Sequence, residues 1–383
     1  MIKDSDSAAA TSLVSAPVSS IKPMNEQEKL LAYPCADTLP AIGSTIEVAP
    51  GVRWLRMLLP FALDHINLWL LRDYMDTPDG RIEGWSIVDC GIANDATRAA
   101  WEQVFATELQ GLPVLRVIVT HMHPDHIGLS NWLVERWSTS TFDCRLWISA
   151  TDYNVARLAS ELMAGHGGNA TADFMALHGL LDEESQEKIR ARTSYYAKLV
   201  PKVPSRYRRL LDGMVLHING QPWTCHVGYG HAPEHMALHG ESQGVVISGD
   251  MVLPRISTNI SVMDLEPEAD PLKLYLDSLN RMRAIPANTL VLPSHGRPFR
   301  GLHTRIAQLE THHADRFAEV MQACAQAPQC AADLLMVLFK RKLDLHQTTF
   351  AMGEAIAHLH ALWYAGKLVR RVDAHGVFRF TGA

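Results

Sequence analysis

Four side chains that can bind a metal ion, His121, His123, Asp125 and His126, fall within six residues of the run Thr120-His121-Met122-His123-Pro124-Asp125-His126-Ile127-Gly128. An extended chain alternates its side chains, so the imidazoles of His121 and His123 fall on one side of it. Asp125 and His126 stand where a helix would start, turned toward a second position. That spacing can serve two adjacent cations rather than one. Burying several imidazoles and a carboxylate with nothing to bind is costly, which makes a chance cluster of satisfied histidines the weaker reading.

The elements that must position these groups can be read from the apolar pattern. Arg116 to Thr120 is a short, mostly apolar run that delivers His121 at its end. Three further runs have the same form. Ser86 to Gly91 carries Asp89, Val245 to Gly249 leads to Asp250, and Thr289 to Ser294 leads to His295. Continuous apolar runs of this length suit strands buried on both faces. Layered α/β folds place their chemistry at such carboxyl ends. Ile46 to Leu59 and Ile66 to Leu71 also read as strands. Helices are expected over 129–137 and 151–164, and after Asp270, an N-cap followed by Pro271. A polar stretch from Thr171 to Leu211, with Lys198, Lys202, Arg206, Arg208 and Arg209, reads as part of a helical insertion over about 136–211. Residues 325–383 read as a separate module: a short helix at Ala331–Phe339, a longer one with an apolar face from Phe350 to Trp363, then a hairpin around Asp373 to Gly376. Helices followed by a hairpin give the outline of a winged helix.

Composition bounds the rest. In 383 residues, 47% are apolar and 20% charged, enough for a large core and too ordered a mixture for a disordered chain. The formal charge of −6 excludes a globally electrostatic nucleic-acid or membrane binder. The six cysteines are scattered with no CxxC pair, so neither a disulfide scaffold nor a thiolate zinc finger is expected, and the compartment reads as reducing and cytoplasmic. No apolar run reaches the ~18 residues of a membrane span. Residues 1–40 read as a flexible tail without a secretory signal, its first 22 residues rich in Ser and Ala. A catalytic domain is expected over 41–320.

The run from His121 to His126 resembles the HxHxDH motif of the metallo-β-lactamase fold. Other segments resemble the rest of that family's ligand order. His231 lies in Gly228-Tyr229-Gly230-His231-Ala232-Pro233-Glu234-His235, Asp250 in Ile247-Ser248-Gly249-Asp250, and His295 in Pro293-Ser294-His295-Gly296. The resemblance runs from about 46 to 315. It implies a four-layer αββα sandwich carrying the helical insertion and the winged-helix C-terminal domain. It also implies roles: His121, His123 and His231 on a first metal, Asp125, His126 and His295 on a second, and Asp250 bridging. Asp125 and Asp250 would be the catalytic carboxylates. Nitrogen and oxygen ligands without thiolate suit two Zn²⁺ ions, with iron or manganese tolerated. Such a pair would acidify water toward a pKa of ~7 and hold a bridging hydroxide. No side-chain nucleophile is then needed, and no GxSxG motif offers one. Asp89 is expected to accept a hydrogen bond from a ligand histidine. His235 is expected to be structural. His65, His217, His226 and His239 read as ordinary, and His312-His313 as lying on a solvated helix.

Fold and metal site do not fix the substrate. Asp250 stands where one β-lactamase class uses cysteine, which argues against periplasmic antibiotic hydrolysis. His123 stands where oxygen-reducing di-iron relatives place glutamate. The pattern resembles glyoxalase II-like thioesterases, so a small thioester or related ester of acyl-CoA or acyl-glutathione type is the expected substrate. A single-strand-selective endoribonuclease of the same fold and a lactonase are the alternatives. The C-terminal module resembles the winged-helix tail of a branch containing both thioester- and RNA-processing members. Its charge balance over 331–383 is only mildly basic. Keeping all seven ligands argues against a regulator with a dead hydrolase domain. The insertion is expected to roof the site and select the acyl or carrier group, with Lys and Arg of 198–209 holding phosphate or carboxylate. No membrane partner is expected, and a homodimer stays open.

Overall fold

The computed structural model describes residues 23–78, 80–140, 142–162 and 167–383. Most of the expected flexible tail (residues 1–22) lies outside these. Residues 23–40, also assigned to that tail, are built into the fold. Ala32 exchanges backbone hydrogen bonds with Arg300, and Arg297 donates to the Ala36 carbonyl.

The first sheet has seven strands in sequence order: β1 (Ile46–Ala49), β2 (Val52–Leu58), β3 (His65–Thr77), β4 (Gly80–Val88), β5 (Val114–Ile118), β6 (Arg145–Ile148) and β7 (Tyr207–Arg209). The apolar run from Ile46 to Leu59 is split by Pro50 and Gly51 into the β1–β2 hairpin, a turn that needs the positive φ of 71° at Gly51. The second sheet holds β8 (Val215–Ile218), β9 (Gln221–Gly228), β10 (His235–Gly240), β11 (Val245–Gly249), β12 (Leu290–Pro293) and β13 (Phe299–Arg300).

Helices follow in chain order as α1 (Asp95–Thr107), α2 (Pro124–Ile127), α3 (Ser130–Trp137), α4 (Ala150–Leu162), α5 (Gly168–Leu177), α6 (Glu183–Ala191), α7 (Tyr195–Leu199), α8 (Pro271–Met282), α9 (Leu302–Gln326), α10 (Ala331–Leu338) and α11 (Leu345–Tyr364). A hairpin of β14 (Leu368–Val372) and β15 (Phe378–Gly382) closes the chain.

Alternation along the strands explains the layers. Leu68 and Leu70 of β3 face a core with Trp101, Val104 and Leu133, on the helical side of the first sheet. Trp69 and Leu71 of the same strand face the second sheet, meeting Trp223, Leu238 and Ile247. On β11, Val246 turns the other way, toward Leu272 and Tyr275 of α8. Helix, sheet, sheet and helix therefore stack in four layers, and apolar runs with no polar alternation are what strands buried on both faces require.

Several expectations change. The range 136–211 contains β6 and β7, which continue the parallel half of the first sheet, so only α5–α7 and their loops are added helix. Of these, α5 does not roof the site: Phe174 and Met175 join the same apolar cluster as Leu334, Ile356 and Phe380 of the C-terminal segment. That segment therefore shares a core with α8 and α9 and has none of its own. His313, read as solvated, is fully buried on α9 beside His358. All six cysteines are unpaired. Among the described residues no helix is long and apolar enough to cross a membrane.

Candidate metal centre

All seven sequence-predicted ligands converge at one end of the two central sheets. The loop after β5 carries His121 and His123, and α2 brings Asp125 and His126. His231 comes from the β9–β10 loop, Asp250 follows β11 and His295 follows β12. Two glycines permit this approach. A side chain at Gly128 would meet the carbonyls of Pro124 and Gly91 at 2.6 and 2.7 Å, so α2 packs flush on the loop after β4. Gly249 has φ of +53° and lies against the His235 ring, leaving no room for a Cβ.

Three ring nitrogens meet first. His121 Nε2 lies 2.8 Å from His123 Nδ1, His123 Nδ1 lies 3.0 Å from His231 Nε2, and His231 Nε2 lies 3.2 Å from His121 Nε2. Ligands around a tetrahedral Zn²⁺ stand about 3.3 Å apart at usual Zn–N lengths. Beside them lies a second group. His295 Nε2 is 3.4 Å from both Asp125 Oδ2 and Asp250 Oδ1, and His126 Nε2 is 3.6 Å from Asp125 Oδ2. Asp250 faces both groups, because its other oxygen, Oδ2, is 3.3 Å from His231 Nε2.

Outer partners set the tautomers. His126 Nδ1 donates to Asp89 Oδ2 at 2.8 Å, His231 Nδ1 to the Asn259 carbonyl at 2.8 Å, and His295 Nδ1 to the His65 carbonyl at 2.8 Å. His121 Nδ1 lies 3.0 Å from the Thr120 hydroxyl, which donates to Asp89 at 2.9 Å. On these four rings the Nδ1 proton is thus held on the outside and Nε2 is left facing inward, while His123 turns its Nδ1 inward instead. Lone pairs about 3 Å apart repel unless a cation lies between them. The buried Nε2 of His126 and Oδ1 of Asp250 have no hydrogen-bond partner among the described residues. The donor set therefore fits a pair of divalent ions.

Charge supports the same fit. Burial opposes ionising Asp250, yet His295 and His126 hold its carboxyl well below the usual range. Burial lowers His126, but Asp125, Asp89 and Asp250 outweigh it and raise the imidazole. His121 is depressed by burial and by its histidine neighbours, which keeps it neutral. The carboxylates of the second group thus call for positive charge, while His121 of the first group stays unprotonated.

Asp89 accepts from His126 as expected, and it does so from φ of 63°, a left-handed backbone that Asp tolerates better than most residues. His235 stays outside the ligand groups and accepts the Asp250 N–H at 3.1 Å. His65, read as ordinary, is a support. Its carbonyl holds His295, its Nε2 accepts the Gly296 N–H at 2.9 Å, and its Nδ1 donates to Asp64. Asp152 went unseen in the sequence. Its carboxylate accepts the backbone N–H groups of Met122 and Glu234 at 2.8 and 2.7 Å, tying the two histidine loops together, and burial pushes its pKa up to about 6.

A family model described as the metallo-β-lactamase superfamily matches residues 65–295, which contain all seven candidate ligands. The chain belongs to that superfamily. A second model, the metallo-β-lactamase-like C-terminal domain, matches 317–383 and so begins within α9 rather than at 325. The family's fold recurs in solved structures. A β-lactamase domain protein from Burkholderia ambifaria is 56% identical, covering 94% of this chain and 100% of its own, with a TM-score of 0.87. A metallo-β-lactamase family protein from Thermus thermophilus is 26% identical over 88% of this chain and 100% of its own, with a TM-score of 0.69. The probable metallo-hydrolase YqjP of Bacillus subtilis (strain 168) is 23% identical over 80% of this chain and 91% of its own length. Membership of this family carries the coarse activity, a metal-dependent hydrolase.

A cavity of about 1240 Å³ opens over the centre, with His123, Asp125, His231, Asp250 and His295 in its lining. Its walls are mainly apolar and come from both halves of the chain, Phe61, Val155 and Leu199 from one side and Phe339 and Phe350 from the other. Helices α4 and α7 line it, whereas the basic residues of 198–209 do not. Lys202 pairs with Glu135 at 2.7 Å, and Arg208 and Arg209 belong to the edge strand β7.

Proposed function

We propose that the protein hydrolyses a thioester or related ester carrying an apolar acyl group, using two divalent ions, by first choice Zn²⁺. The observation that carries this reading is the shared carboxylate of Asp250 between two ligand groups, at the base of an apolar cavity. His121, His123 and His231 would hold one ion, Asp125, His126 and His295 the other, and Asp250 both. When bound, the ions supply Lewis acidity and an acidified water at neutral pH. The chain does the rest. Asp89, Asn259 and the His65 carbonyl keep the imidazole protons outward. Asp125, with 18% of its side chain exposed, reaches the cavity and is placed to orient or receive a proton. Apolar walls exclude bulk water and grip the acyl group.

The glyoxalase II-like assignment and the winged-helix reading of α10, α11 and the β14–β15 hairpin belong to this proposal, as do a cytoplasmic location and a small-molecule partner. The cations of the tail favour packing over nucleic-acid contact. Arg370 stacks 3.9 Å from the Trp363 ring and pairs with Glu268, and Arg379 pairs with Asp373 at 2.8 Å and with Asp333.

A substrate panel tests the reading. The zinc-loaded protein is expected to turn over acyl-CoA or acyl-glutathione with weak dependence on salt, and short single-stranded RNA and simple lactones poorly. Preferential RNA cleavage that falls steeply with salt would replace the thioester with the nuclease.

A further inference from the structure

We propose that Arg56 and Arg297 form an oxyanion-binding subsite beside the metal centre, which takes a carboxylate or phosphate on the part of the substrate remote from the scissile bond. This rests on the hydrolase reading and specifies its substrate as an anionic ester.

A side cavity of about 360 Å³ adjoins the main one, and the two share Ala62, Leu63, Leu253, Ile256, Arg341 and the ligand His295. Four guanidiniums, Arg56, Arg255, Arg297 and Arg341, line it against two carboxylates, Glu28 and Asp64. Glu28 pairs with Arg255 at 3.2 Å, while Asp64 accepts from His65 at 2.6 Å and also attracts Arg56, so the guanidiniums outnumber the carboxylates.

Arg56 is the deciding residue. It lies on β2 opposite Asn67 of β3 and is only 6% exposed. Its Nε is fully buried with no hydrogen-bond partner among the described residues, and its guanidinium lies 6.0 Å from the Trp54 ring. Burial, only partly offset by Asp64, lowers its pKa to about 10, so it stays charged at neutral pH. Arg297, 8% exposed, acts on it as a like charge. Arg297 stacks 4.3 Å from the Tyr33 ring and spends one terminal nitrogen on Ala36 and the exposed Asp37. Two buried guanidiniums of like charge on one cavity, one of them with a buried Nε that lacks a hydrogen-bond partner, are unfavourable unless an anion completes them. Their planar forks suit the paired oxygens of carboxylate or phosphate. The side cavity meets the centre at His295, so a substrate can bind its anion here while its ester lies over the ligands.

The test uses the full zinc-loaded chain and titration calorimetry with inorganic phosphate and, separately, succinate. The wild type is expected to bind at least one of them, and Arg56→Gln to weaken that binding tenfold or more while retaining both metals and the wild-type melting temperature. Arg56→Lys should fall between. Should Arg56→Gln unfold, Arg297→Lys carries the same expectation. Phosphate preference would point to a phosphorylated carrier and succinate preference to a carboxylate. Equal binding by wild type and variant would place the anion on the metals alone and overturn the subsite, as would the absence of binding by either anion. A kinetic arm compares an acyl-CoA with the neutral acyl-N-acetylcysteamine thioester, and Arg56→Gln should lower the ratio of their kcat/KM at least tenfold. If neither thioester is turned over, the substrate reading fails while the calorimetry still decides the subsite.

Discussion

Asp250→Ala will release metal from both positions together and lower turnover about a thousandfold or more. Its carboxylate reaches both ligand groups, Oδ2 lying 3.3 Å from His231 Nε2 and 3.7 Å from His126 Nε2, and Oδ1 3.4 Å from His295 Nε2. Removing the carboxylate takes one negative donor from each ion, and two adjacent cations then repel with nothing shared between them. Losing ~4 kcal/mol of transition-state charge stabilisation corresponds to about a thousandfold in rate. Elemental analysis beside steady-state kinetics reads both effects. A variant that keeps two ions per chain and ordinary turnover would show that Asp250 bridges nothing.

Asp89→Ala is expected to weaken metal binding roughly 10- to 100-fold, the usual cost of losing a carboxylate behind a ligand histidine. Asp89 touches no ion, yet it accepts the His126 Nδ1 proton and both the N–H and hydroxyl of Thr120. The Thr120 hydroxyl in turn stands 3.0 Å from His121 Nδ1. One buried carboxylate thus sets a ligand in each metal group. Without it the two imidazoles lose the partner that fixes which nitrogen carries the proton. Because Asp89 also raises the His126 imidazole, proton competition is stronger in the wild type, and the deficit should narrow as pH falls toward the ordinary histidine range. Competition with a chromophoric chelator measures the affinity. An unchanged affinity at every pH would reduce Asp89 to a backbone cap.

Much of this site was legible because the His121 loop, Asp250 and His295 each follow a short apolar run, the signature of a strand buried on both faces. His231 instead follows the mixed strand β9 and was legible only from its motif. The supports were less legible. Asp152 joins Met122 to Glu234 across 82 residues of sequence from the latter, and no local pattern announces that. His65 works partly through its carbonyl, which carries no side-chain signal. The range 136–211 read as a single insertion because β6 and β7 are short, and the three residues Tyr207–Arg209 show no apolar pattern. The same blindness to topology made Lys198 to Arg209 look like an anion site. Their charges lie away from the cavity, while Arg56, isolated between Leu55 and Met57, is buried at its side. Residues 23–40 looked unstructured because they are held by contacts with Arg297 and Arg300, far along the chain.

Seven side chains from four loops, if they hold two ions, set a fixed stoichiometry. Its most direct test is the metal content of purified, catalytically active protein, followed by chelation and stepwise return of Zn²⁺. Two ions per chain are expected, with activity lost on chelation and restored as the second equivalent binds. Full activity in protein carrying no divalent metal, or saturation at a single ion, would rule out the dinuclear centre.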